Sequence, residues 1–151
     1  MDKLRSGWQI TCAALLCSAV VFASQLAPVM VTWQTLQTLN VSVPASQQKV
    51  PVLQLAGKRV SIPGFMVPLE DDLDHVSEFL LVPYAGACIH VPPPPPNQIV
   101  YVKMNKSTQV HVTFTDPILV TGTLQISTVQ SPYGAVSYDL SGESVIGYQP
   151  Q

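Results

Sequence analysis

Cys88 and His90 stand two residues apart, and Val91 and five prolines, Pro92, Pro93, Pro94, Pro95 and Pro96, follow at once, then Asn97 and Gln98. In an extended chain, residues i and i+2 project to the same side. A thiolate beside an imidazole is then a soft donor pair suited to zinc or copper. Two donors do not close a structural zinc site, which takes four, and no Cys-x-x-Cys or His-x-x-x-His motif supplies the rest. His75, His111, Glu70 and the acids Asp71, Asp72 and Asp74 could join them only through folding. The competing reading is a buried thiol beside a histidine that bonds to backbone. The pair could also act as nucleophile and base, although such partners usually come from separate elements with a third orienting group. No Gly-x-Ser-x-Gly, phosphate loop or paired-carboxylate arrangement is present. No catalytic residue is assigned, and the chain reads as a non-enzyme.

The prolines carry a different kind of chemistry. Five in a row donate no amide hydrogen and hold φ near −65°, which makes a stiff polyproline II rod. A rod of this kind is excluded from the interior of a sheet and must run along the surface or over an open edge. It is either a rigid crossover that fixes the entry of the next strand or a docking element for an aromatic-lined groove. On the docking reading, Pro92 to Pro96 with Asn97 and Gln98 form the partner-binding surface. The acidic stretch at residues 70–74 reads as a solvated turn, with a cation site as the minority reading.

These residues need elements to hold them. Beyond residue 57 the apolar positions alternate, and no stretch carries a 3.6-residue stripe. Strands are expected over residues 58–69, bent at Pro63 and Gly64, and over 76–84, 99–104, 110–114 and 118–126. Two more, 136–140 and 145–148, are separated by a turn at Ser141, Gly142 and Glu143. The run Phe79, Leu80, Leu81, Val82 is continuous and predicts a strand buried on both faces. Short, evenly spaced strands with glycine inside two of them predict an all-β fold, a small OB-like β-barrel.

At the N-terminus, Lys3 and Arg5 precede an uncharged apolar stretch over residues 10–23 that ends in Val21, Phe22 and Ala23. This pattern predicts a signal peptide over residues 1–23 cleaved after Ala23, the alternative being a retained anchor helix. Leu16 before Cys17 departs from the lipoprotein pattern. Residues 24–56 read as a linker or N-terminal extension with one helical turn near Trp33, and residues 57–151 as the barrel domain. Cleavage removes Cys12 and Cys17, which leaves Cys88 as the sole thiol. An unpaired thiol in an oxidising compartment is buried, metal-bound or reactive. Only 11% of residues are charged and the formal charge is −2, so the basic patch of a nucleic-acid binder is missing. A periplasmic location follows from the leader.

Three strings, Gly57 through Glu70, Glu78 through Tyr84, and Gly86-Ala-Cys-Ile-His-Val-poly-Pro-Asn-Gln98, resemble a family of exported bacterial proteins of unknown function. The resemblance covers residues 57–126 and leaves the N-terminal third outside. It implies an envelope protein, often encoded beside an ABC transporter with a large permease and, in some bacteria, beside zinc-regulated histidine-rich binding proteins. On this basis Cys88 and His90 are candidate ligands. The chain lacks the His-rich tracts of a zinc scavenger, so an accessory subunit docking on a transporter permease or another envelope protein fits better. A stand-alone periplasmic metal chaperone or sensor is the alternative, and a thiol-dependent enzyme using Cys88 is the third reading.

Overall fold

The computed structural model describes residues 27–72, 74–87, 93–105 and 108–149. Over them the chain is mostly β-sheet with one short α-helix. Residues 1–23, expected as a signal peptide, and Cys88, His90 and Pro92 lie outside the described residues. No helix among the described residues is long and apolar enough to cross a membrane.

In chain order, β1 is Val29–Met30, α1 Trp33–Leu36, β2 Arg59–Pro68, β3 His75–Val76 and β4 Glu78–Val82. Then come β5 Val100–Met104, β6 Val110–His111, β7 Ile118–Ser131 and β8 Gly134–Gly147. The main sheet runs β1-β2-β4-β5-β8-β7, with β5 and β8 parallel and a further antiparallel pairing of β2 with β7. β2 meets β7 through residues 59–64 and β4 through residues 65–68. No residue of β2 pairs with both β4 and β7; the all-β expectation holds, but the sheet is not a closed barrel. The handover falls at Pro63 and Gly64. A Cβ at Gly64 would lie 2.7 Å from the Val82 carbonyl oxygen, so glycine is what lets β4 come close there.

The alternation of β2, β4, β5, β7 and β8 sends one set of side chains inward. Ile62, Phe79, Leu81, Val100, Val102, Leu124, Tyr138 and Leu140 are fully buried in the main core. The opposite face of β2 and β4 is covered as well: Val67, Leu80 and Val82 pack with Ala87, Ile99 and Val136 in a second apolar cluster. β4 is therefore buried on both sides, which its unbroken apolar run requires.

One expectation is corrected. Residues 136–147 lie in a single strand, β8, rather than in two. Gly142 sits inside it opposite Gly122, and a Cβ at Gly122 would be 2.3 Å from the Ser141 carbonyl oxygen. The Ser-Gly-Glu string thus marks a close strand crossing at a register shift, where glycine is read easily as a turn. Residues 24–56 are expected as a linker or N-terminal extension, and 27–56 of them are described. The helical turn is there as α1, but Val31, Leu36, Leu39 and Val52 are buried in the main core. Their scattered spacing hides this because irregular segments bury single residues without a period.

Candidate functional site

α1 has only four residues, and distant side chains add hydrogen bonds to carbonyls at and just beyond its C-terminal end. The Tyr138 hydroxyl donates to the Leu36 carbonyl at 2.6 Å, in the core. The Asn97 amide donates through Nδ2 to the carbonyls of Gln37 at 3.1 Å and Leu39 at 2.9 Å. Burial pushes the Tyr138 hydroxyl well above the ordinary tyrosine value, so it remains a donor. The N-terminal end of α1 is held separately: Thr32 caps it, and Trp33 Nε1 donates to the Pro63 carbonyl at 2.8 Å.

Asn97 thereby fixes the end of the proline segment. Pro95 has φ −62° and ψ 157°, the polyproline II region, and leads into a single 3₁₀ turn over Pro96–Gln98. The Gln98 amide closes that turn on the Pro95 carbonyl at 2.8 Å. Pro93 and Pro95 are exposed, Pro94 between them is buried, and Pro96, Asn97 and Gln98 are half-buried. A threefold polyproline helix anchored through one ring presents its neighbours outward, and that is the arrangement here. Ala87 and Ile99, on either side of the segment, are both buried in the second apolar cluster. Asn97 Oδ1 is buried with no partner among the described residues.

Of the residues singled out by their chemistry, Pro93, Pro94, Pro95, Pro96, Asn97 and Gln98 are brought together on one edge; for Cys88, His90 and Pro92 no placement is described. Among the described residues no group of three or more His, Cys, Asp or Glu side chains converges. The acidic turn is a structural cap. Glu70 Oε1 accepts from the amides of Ser77 and Glu78 and from the Ser77 hydroxyl, at 2.6, 2.7 and 2.8 Å. The Ser77 amide and hydroxyl, with the Glu78 amide, hold its carboxyl below the usual carboxylate value. Beside it, Glu78 accepts from both Tyr101 and Lys103. Burial, then the Glu78 carboxylate, push the Tyr101 hydroxyl up to about 12. An open cleft of about 350 Å³ lies between residues 39–45 and the β7–β8 hairpin, and no titratable side chain lines it.

The sequence reading missed the Tyr138–Leu36 and Asn97–α1 contacts. Asn97 stood in the signature string, but only the fold reveals that its amide faces α1 rather than solvent.

Fold and site together define a small, mostly β protein with a proline-rich crossover clamped to an N-terminal helix. The chain belongs to the family described as "Protein of unknown function (DUF3299)", which matches residues 21–146. That match begins at residue 21 and so takes in residues 27–56, which lie outside the resemblance and whose Val31, Leu36, Leu39 and Val52 are in the core. The chain is similar to the crystal structure of a DUF3299 family protein from Pseudomonas aeruginosa PAO1. The two share 33% identity over 83% of this chain and 99% of that one, with a TM-score of 0.64. No protein of curated function matches it.

Proposed function

We propose that this chain is an exported, non-enzymatic accessory subunit of an envelope ABC transport system, docking on the transporter through its proline edge. The observation that carries the reading is the pairing of exposed Pro93 and Pro95 with buried Pro94 and clamped Asn97. A polyproline segment held in advance loses little conformational freedom on binding, which favours recognition by an aromatic-lined groove. In this reading the fold is an OB-like barrel. Taken in chain order, its five longer strands pair 1-2-3-5-4 and return to 1, in a sheet left partly open. Residues 1–23 act as the signal or anchor that brings the domain to the periplasm, and the permease is the partner. A zinc or copper link runs through Cys88 and His90 as candidate ligands.

The test measures the affinity of the purified domain for the detergent-solubilised permease complex encoded beside it. Pro93→Ala combined with Pro95→Ala is expected to weaken binding at least tenfold while thermal stability barely moves. Unchanged affinity in the double variant, or no binding by the wild type, removes the docking reading.

A further inference from the structure

Outside the main sheet, β3 and β6 form a separate two-stranded ladder in which His75 lies directly opposite His111 and Val76 opposite Val110. The Val112 amide donates to the Asp74 carbonyl at 3.0 Å, so Asp74 and Val112 are a hydrogen-bonded pair. His75 and His111 then occupy a non-hydrogen-bonded pair, the position where cross-strand side chains stand closest. Val76 and Val112 are buried, and alternation therefore turns both histidines outward into solvent. Their ring centroids are 5.5 Å apart with the planes at 64°.

We propose that His75 and His111 chelate one borderline divalent transition-metal ion, of the Cu²⁺, Ni²⁺ or Zn²⁺ class. Imidazole suits all three. A metal–nitrogen bond of about 2.0–2.1 Å puts each ring centre about 3.2 Å from the ion, so the two centres stand about 5.2 Å apart at the tetrahedral angle of Zn²⁺ and about 4.5 Å apart at the right angle of tetragonal Cu²⁺ or Ni²⁺. The rings stand edge to face with centres 5.5 Å apart, and chelation needs both exposed side chains to turn a nitrogen toward one point. Among the described residues no third protein donor joins the pair. Asp72 supports the site from behind. Its Oδ1 accepts from the amides of Asp74 at 2.8 Å and His75 at 3.2 Å, which fixes the turn and keeps a carboxylate near the cation.

The consequence is mechanical as well as chemical. β3 belongs to the β2–β4 connection and β6 to the β5–β7 connection, and each contributes only two residues to their ladder. Two such strands are marginal by themselves. A bound ion clips the two connections together and stabilises the folded chain by mass action.

The site does not depend on Cys88 or His90, and the test separates the two. The metal-stripped Cys88→Ser, His90→Ala chain is titrated with Cu²⁺ and with Ni²⁺, alone and with His75→Asn or His111→Asn added. One equivalent is expected to bind in the parent, and either histidine change is expected to weaken binding at least tenfold. Equal affinity in the added variants, or no binding by the parent, overturns the assignment. Substoichiometric Cu²⁺ with the unsubstituted chain gives an independent readout. NMR line broadening is expected at the amides of residues 74–76 and 110–112, and broadening that spares them also overturns it.

Discussion

The proline edge and the histidine ladder are both surface features, yet they are held very differently. Pro93 to Gln98 is tied to α1 by two bonds from Asn97, closed on itself by the Gln98 amide and seated through buried Pro94. The β3–β6 ladder has two residue pairs and the Asp74–Val112 bond. A segment ordered before binding suits a protein groove, because little ordering remains to be done when the partner arrives. A weakly tied pair of strands gains order from a ligand that bridges them. The same fold thus offers one preformed edge and one edge that a small ion can complete.

The largest expected effect breaks the anchor of the preformed edge. Leu36 is fully buried at the end of α1, and Leu36→Ala is expected to cost about 2–5 kcal/mol in chemical denaturation. Asn97→Ala removes the two bonds to the Gln37 and Leu39 carbonyls just past α1, with an expected loss of about 1–3 kcal/mol. If the clamp orders the rod, the same variant also weakens permease binding, and affinity unchanged in a destabilised Asn97→Ala protein would show that clamp and docking are separate.

At the other edge the effects are smaller. The Glu70 carboxyl is held below its ordinary value of 4.5 by the Ser77 and Glu78 amides that lead into β4. Its stabilising contribution is present above pH 4.5 and is lost as pH falls through the lower native value. Glu70→Gln is expected to flatten the acid limb of stability below pH 4.5, read by thermal melts across pH; an unaltered limb would assign the acid sensitivity elsewhere. Last, His75→Asn on the exposed ladder is expected to change metal-free stability by less than about 0.5 kcal/mol, while abolishing any metal-induced rise in melting temperature.

Much of the sheet was legible because strand alternation is a local signal. β2 and β5 fall close to where the sequence placed them, the single strand expected over 76–84 is split into β3 and β4, and the continuous Phe79–Val82 run predicted burial on both faces. Tyr138 and Asn97 were not legible as clamps, since each acts on carbonyls far away in the chain. Gly142 misled in the other direction: glycine for a close strand approach looks the same in sequence as glycine for a turn. The His75–His111 pairing depends on the register of two connections, and sequence spacing contains no trace of it. Pro95, by contrast, has the polyproline II geometry its sequence announces, because proline fixes φ whatever surrounds it, while Pro96 opens a 3₁₀ turn.

The most direct test of the docking account places a photo-crosslinking side chain at position 95, and in parallel at position 133 on the exposed tip of the β7–β8 hairpin. Both proteins are illuminated with the reconstituted permease complex. The account predicts crosslinks to the permease from position 95, suppressed by excess unlabelled domain, and none from position 133. Crosslinking from position 133 with none from position 95 would contradict it and move the docking surface to the hairpin.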